Sequence, residues 1–192
     1  MKGSLGACVL NHENEVAAIG KNQVFCECDG INPIGLHQLA HAETNAILQL
    51  SEQTRPNLHP NIRSYTLYTV MEPCPLCFGA IVMGSIRNVK FAARDGFAGA
   101  AALNNSLEYI KNKKINVEGP FGALEYIHIA MQTCFELENG KLHTSRLIER
   151  WRGDCSYGVE LGEKMHKGGI LKQFSAENKP FEAVLEYIRN QE

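Results

Sequence analysis

The chain has 192 residues, 44% of them hydrophobic and 21% charged, and its formal net charge is −2. This composition predicts one globular domain, with a core over about residues 5–140 and a C-terminal helical extension over about residues 141–192. A nearly neutral chain lacks the basic surface typical of proteins that grip nucleic acid, so nucleic acid is a possible but not a favoured partner. No stretch is apolar enough to span a bilayer, and the seven cysteines follow no secretory signal. Both features indicate a cytoplasmic, reduced protein without a membrane partner.

The first elements predict a β-hairpin followed by a long irregular loop. Two short apolar runs, residues 6–10 and 16–19, flank a polar turn, which is typical of two antiparallel strands. Residues 20–39 contain glycine and proline at several positions and are expected to be irregular. A loop of this length inside a compact domain is usually either functional or disordered.

The middle of the chain predicts a helix and then a strand–helix–strand unit. Apolar residues recur at helical spacing between residues 42 and 50, so His41 and Glu43 are expected on the first turn of a helix. The next elements are a strand over residues 64–70, a helix over residues 75–83 with proline in its first turn, and a strand over residues 88–93. In α/β sheets, functional sites form where strands end at their carboxyl edge, and Cys74 falls there.

The C-terminal half is expected to be mainly helical. The predicted elements are helices over residues 101–110, 124–137, 144–151 and 181–190, and a short strand over residues 115–118. Residues 153–169 contain several glycines and are expected to be irregular.

Four side chains near two predicted helix starts carry the chemistry. His41, Cys74 and Cys77 are three metal-ligand residues, and Glu43 is a carboxylate that need not bind a metal. A structural zinc site is closed by four protein ligands, whereas a catalytic one uses three and leaves the fourth position to water. The pattern therefore predicts one catalytic zinc ion per chain, with Glu43 free to move protons.

The spacing of these residues is typical of enzymes that remove an amino group from a nucleobase. In such a reaction, an activated water attacks a ring carbon that bears an amino group, and Glu43 carries the water's proton to a ring nitrogen and to the departing amine. A second metal site at Cys26, Cys28 and His37 is conceivable, but cysteines two apart chelate poorly and free loop thiols are the favoured interpretation.

The chain resembles the cytidine deaminase-like superfamily. Residues 41–47 (HAETNAI) are similar to its first zinc motif. Residues 72–81 (EPCPLCFGAI), followed by Arg94-Asp95 and Gly99-Ala100, are similar to the branch that holds tRNA adenosine deaminases and bacterial guanine deaminases. The resemblance implies an α/β fold, a three-layer α/β/α sandwich around a mixed five-stranded sheet. It also implies homodimers or larger homo-oligomers.

The resemblance also implies which residues contact the substrate. Asn22 matches a substrate-contacting asparagine after the second strand, although asparagine after glycine is also common in plain turns. The backbone of Ala42 is expected to contact the base. In guanine deaminase-like relatives a C-terminal segment caps the active site, so Trp151, Asp154 and Tyr157 are candidates for that role. The alternative is that Trp151 is a core residue and Asp154 a turn residue.

These observations favour a zinc-dependent hydrolase that deaminates a purine-like nucleobase or nucleoside and releases ammonia. The alternatives are a tRNA adenosine deaminase, a deaminase of cytosine or cytidine, and a catalytically inactive scaffold subunit with the same fold. A scaffold subunit typically lacks the acid/base carboxylate, and Glu43 is present here.

Overall fold

The computed structural model describes residues 5–53, 61–140 and 144–191. The chain divides into two compact units. We call residues 2–92 with residues 98–120 the sheet unit, and residues 93–97 with residues 121–192 the helical unit.

The sheet unit is built on five strands. They are β1 Gly6–Leu10, β2 Val16–Lys21, β3 Thr66–Met71, β4 Asn88–Ala93 and β5 Asn116–Glu118. Their order across the sheet is β2-β1-β3-β4-β5. Strand β1 is antiparallel to both β2 and β3, whereas β4 and β5 are parallel. The sheet is therefore mixed, and the predicted α/β fold around a mixed five-stranded sheet is confirmed.

Alternation along the strands determines which side chains enter the core of the sheet unit. In β3, the buried positions are Leu67, Thr69 and Met71, and in β1 they are Ala7 and Val9. Helices α1 (Ala42–Gln53) and α2 (Pro75–Met83) supply the other large part of this core, which includes Leu50, Phe78 and Ile81. The predicted 101–110 helix is instead a 3-10 turn, Ala101–Asn105, and the short helix α3, Glu108–Lys111.

The helical unit contains five helices within the described residues. They are α4 Gly122–Asn139, α5 Thr144–Asp154, α6 Ser156–Lys167, α7 Ile170–Ala176 and α8 Phe181–Arg189. Helix α4 extends two residues past the predicted end at residue 137 and stops at Asn139, because Gly140 adopts the left-handed conformation at φ 56° that favours glycine after a helix. Apolar side chains of α4, α6, α7 and α8 form one core, which includes Met131, Leu161, Leu171 and Ile188.

The prediction of irregular structure over residues 153–169 was wrong, because α6 occupies most of that segment. Its glycines lie where α6 packs on α4. A Cβ at position 158 would come within 2.9 Å of the Ile129 Cβ, and one at position 162 within 2.5 Å of the Ala130 carbonyl oxygen. Two buried glycines therefore allow the helices to approach closely, and this packing offsets the low intrinsic helix propensity of glycine.

Within the described ranges, every helix is too short or too polar to cross a membrane.

Candidate metal centre

The predicted metal ligands come together where two helices of the sheet unit begin. His41 immediately precedes α1, and Cys74 is the N-terminal cap of α2, with Pro75 in the first turn and Cys77 two residues later. Two hydrogen bonds hold the link between β3 and α2. The Glu72 carboxylate accepts a hydrogen bond from the Ala101 backbone N–H at 3.0 Å. The Pro73 carbonyl accepts one from the N–H of Ala100 at 2.9 Å.

The donor atoms have the spacing of a tetrahedral zinc site. The Cys74 Sγ and the Cys77 Sγ each lie 3.5 Å from the His41 Nδ1. Zinc–sulfur and zinc–nitrogen bonds of about 2.3 and 2.05 Å at a tetrahedral angle would place sulfur and nitrogen about 3.6 Å apart. The three residues are thus arranged to hold zinc through His41 Nδ1 and two thiolates. They leave a fourth position that none of them fills.

Glu43 lies beside this group as a buried carboxylate. Its side chain is only 7% exposed. Oε1 accepts a hydrogen bond from the Thr69 hydroxyl at 3.1 Å, and Oε2 accepts one from the Cys77 thiol at 3.3 Å. The carboxylate is therefore within reach of the metal donors without belonging to the three-residue group that they form.

Hydrogen bonding and burial shift the pKa values of the side chains in this centre in different directions. Hydrogen bonding with Cys77 is the main reason that the pKa of Cys74 is lowered to about 4. The same contact and burial raise the pKa of Cys77. The hydrogen bond with Cys74 raises the pKa of His41, and burial raises the pKa of the Glu43 carboxyl. Metal binding would displace the remaining thiol proton, because cysteine binds metal as the thiolate.

The long loop after β2 is attached to α1 by a buried asparagine that the sequence did not single out. The Asn45 side chain is fully buried. Its Nδ2 donates to the carbonyl oxygens of Lys21 and Ile34, both at 3.1 Å, and its Oδ1 accepts from the Ile34 N–H at 3.0 Å. The only sequence signal was a polar residue on the apolar face of a helix, two positions after Glu43.

The substrate-contacting roles of Asn22 and Ala42 remain predictions. Asn22 lies just after β2, where its Oδ1 accepts a hydrogen bond from the Val24 N–H at 3.1 Å, as in a simple asparagine turn. Ala42 is buried between His41 and Glu43 at the beginning of α1.

The three capping candidates belong to the helical unit. Trp151 is 2% exposed, and its indole N–H donates to Asp95 Oδ1 at 3.1 Å. The Asp154 Oδ2 is buried and has no hydrogen-bond partner among the described residues. Tyr157 is 41% exposed, and its hydroxyl donates to the Gln191 carbonyl at 3.2 Å. The capping role stays a prediction, while Trp151 has the burial of a core residue.

No second metal group occurs in the part of the chain that the structure describes, because only His41, Cys74 and Cys77 bring three donor atoms together. The Cys28 thiol instead contacts the Pro33 carbonyl at 3.6 Å.

Comparison with known proteins identifies the family. The zinc-binding region of cytidine and deoxycytidylate deaminases matches residues 1–93, which include all four residues of the centre. The tRNA-specific adenosine deaminase of Rickettsia bellii is 32% identical over 109 residues, which cover 57% of this chain and 67% of that protein. The chain belongs to the cytidine and deoxycytidylate deaminase-like family.

A second curated relative and one solved structure extend the comparison. The tRNA-specific adenosine deaminase of Bacillus subtilis is 35% identical over 79 residues, which cover 41% of this chain and 47% of that protein. The chain thus spans about half the length of that relative. A crystal structure of a protein in complex with 2,6-diaminopurine superimposes with a TM-score of 0.53 at 25% identity, covering 76% of each chain. The predicted resemblance and the predicted zinc cofactor are both confirmed.

Proposed function

We propose that this protein is a zinc-dependent hydrolase that deaminates an amino-substituted purine-like nucleobase or nucleoside. The reaction replaces the amino group by a carbonyl and releases ammonia. The observation that carries the proposal is the buried Glu43 carboxylate, whose Oε2 lies 3.3 Å from Cys77 Sγ and yet is not one of the three grouped donors. A structural zinc site is closed by four protein ligands and does not require a carboxylate that is not a ligand.

The chemistry divides between the metal and this carboxylate. His41, Cys74 and Cys77 would hold the zinc ion, which when bound would make a water molecule acidic enough to attack at neutral pH. Glu43 would accept one proton of the attacking water and donate it to a ring nitrogen. It would then take the proton of the hydroxyl added to the ring carbon and give it to the amino group, which leaves as ammonia while the carbonyl forms. Burial raises the pKa of Glu43, which brings the carboxyl closer to the range in which a group can both accept and donate a proton.

Two observations support a small purine-like substrate. The relative with a TM-score of 0.53 was crystallised with 2,6-diaminopurine, a free base that carries amino groups. The formal net charge of −2 also fits a small molecule better than a polyanion.

A specific observation also favours a second candidate function, the deamination of adenosine in tRNA. Two curated relatives are named tRNA-specific adenosine deaminases. An enzyme that binds tRNA releases counterions, so its KM would rise steeply with salt. A pyrimidine deaminase is a third candidate, and an inactive scaffold is disfavoured because Glu43 is in place.

An ammonia-release screen separates these candidates. The zinc-loaded protein is incubated with guanine, adenine, cytosine, their nucleosides and a tRNA transcript at two salt concentrations. Turnover of a free purine with a salt-insensitive KM is expected. Turnover of the tRNA alone would assign the second function. If the zinc-loaded protein releases ammonia from none of these substrates, the inactive scaffold would be favoured.

We further propose that Asn22 and the Ala42 backbone bind the substrate, and that Trp151, Asp154 and Tyr157 cap it. Asn22→Ala is expected to raise KM with little change in thermal stability. The substitution removes from the turn only the hydrogen bond that the Asn22 side chain accepts from the Val24 N–H. Tyr157→Phe removes one hydroxyl, and an unchanged KM would argue against its capping role. Trp151 is a poor probe, since its replacement disturbs the core of the helical unit.

The oligomeric state and the cellular compartment of the protein are also part of this proposal. We propose that the protein works in the cytoplasm as a homodimer or larger homo-oligomer. Sedimentation of the zinc-loaded protein tests the oligomer, because a monomer at micromolar concentration would contradict it.

A further inference from the structure

Thr69 is a polar residue at an inward-facing position of a central strand. It is 7% exposed and alternates with the buried Leu67 and Met71 along β3. Thr69 pairs with Ala7 of β1, so its backbone belongs to the sheet, and its hydroxyl needs a separate partner. That partner is the Glu43 carboxylate, whose Oε1 lies 3.1 Å from the Thr69 Oγ1.

The two oxygens of Glu43 have different surroundings. Oε1 receives the Thr69 hydroxyl, while Oε2 lies 3.3 Å from the Cys77 Sγ and so faces the metal donors. Cysteine binds zinc as the thiolate and then has no proton to donate. Among the described residues, Thr69 and Cys77 are the two side chains that donate a hydrogen bond to Glu43. In the zinc-loaded protein, only Thr69 would still have a proton to donate.

We propose that Thr69 is a positioning residue that anchors Oε1 of Glu43 and leaves Oε2 as the oxygen that carries the proton. This inference rests on the proposed deaminase function. The terminal torsion of a glutamate is broad, so an unanchored carboxylate rotates and spends less time with an oxygen in reach of the reacting atoms. A general base acts only within about 2.6 to 3.2 Å of the proton that it takes.

Two matched pairs of residues at position 69 isolate the hydroxyl. Threonine and valine have nearly the same shape, and so do serine and alanine, and each pair differs by a hydroxyl. Losing one hydrogen bond to a charged group predicts that Thr69→Val lowers kcat by about ten- to a hundredfold with KM within about twofold. Thr69→Ser is expected to keep most of kcat, and Thr69→Ala to lose it. Thr66→Val, on the same strand, is the control and should match the wild type.

Measurements other than activity separate positioning from loss of structure. Zinc content should stay at one per chain in all four variants. Thermal unfolding of the zinc-loaded protein is compared for Thr69→Val in the wild type and in a Glu43→Leu background. The valine substitution should lower the midpoint when Glu43 is present and have no such effect when leucine replaces it, because the lost hydrogen bond exists only with the carboxylate.

Each outcome decides the matter. If Thr69→Val loses zinc, or raises KM while kcat is unchanged, or if Thr69→Ser is as inactive as Thr69→Ala, the positioning role is wrong. Equal effects of the valine substitution in both backgrounds would also overturn it. A wild-type protein that deaminates no substrate would instead overturn the proposed function, which the unfolding comparison does not depend on.

Discussion

Gly20 of β2 lies directly against the first turn of α1, at the backbone of Ala42. A Cβ built on Gly20 would collide with the Ala42 carbonyl oxygen and would come within 2.6 Å of the Ala46 backbone nitrogen. Backbone atoms cannot move aside as the end of a long side chain can. The absence of a side chain at position 20 therefore allows the helix start that carries His41 and Glu43 to rest on the sheet.

Gly20→Ala is expected to push the start of α1 away from β2. We predict a loss of about 1 to 3 kcal/mol in the free energy of unfolding, the usual cost of overpacking, and weaker zinc binding because His41 moves with the helix. Urea unfolding and a competitive zinc titration measure the two effects. Gly6→Ala is the matched control, since its nearest atom would lie 3.9 Å away. Equal effects of the two substitutions would contradict this account.

Zinc binding should depend on both cysteines of the centre and on no loop cysteine. The purified protein is expected to contain one zinc ion per chain, and Cys74→Ser and Cys77→Ser should each abolish it. Elemental analysis measures the stoichiometry. Cys28→Ser, on the loop after β2, should leave it at one, because this cysteine is not part of the three-donor group. Chelation should also lower the thermal midpoint, since a metal that binds only the folded state stabilises it.

Glu43 is expected to be necessary for turnover and dispensable for the metal. Glu43→Gln keeps the size of the side chain and removes its ability to accept a proton, so kcat should fall by about a hundredfold to ten-thousandfold at unchanged zinc content. Glu43→Ala should behave in the same way. Glu13→Gln, an exposed carboxylate in the β1–β2 turn, is the control. A Glu43→Gln enzyme with the wild-type rate would contradict the mechanism.

His128 makes the stability of the helical unit sensitive to acid. Its side chain is buried in α4, its Nε2 has no hydrogen-bond partner among the described residues, and burial lowers its pKa from 6.5 to about 4. Above pH 6.5 both the folded and the unfolded state hold neutral histidine. Between that pH and about 4, only the unfolded state takes up the proton, so stability falls as the pH is lowered.

The variant His128→Leu removes this titration. Between pH 7 and pH 5 the wild type should lose about 2 kcal/mol more in free energy of unfolding than the variant. Denaturant unfolding of both proteins at each pH measures the difference, and acid effects on the metal centre cancel because both proteins share it. Parallel pH dependences would show that His128 contributes nothing.

The sequence alone was sufficient for the elements and residues that depend on local signals. Two short apolar runs around a polar turn predicted β1 and β2, and Pro75 predicted the beginning of α2. The three metal-ligand residues were also predictable, because histidine and cysteine are common zinc ligands and recur at short spacings. His41 lies at the beginning of one helix, and both cysteines lie at the beginning of another.

Tertiary structure decided the features whose partners are distant in the chain. Glycines at positions 158 and 162 look like breaks in a helix until α4 is placed against them, because only the packed neighbour compensates for their low propensity. Thr69 and Glu43 are 26 residues apart, and nothing local pairs them. Asn45 likewise holds Lys21 and Ile34 only because the fold brings that loop onto α1. The sequence by itself determined which residues could hold a metal, whereas the three-dimensional packing decided which hydrogen bonds hold the Glu43 carboxylate in place.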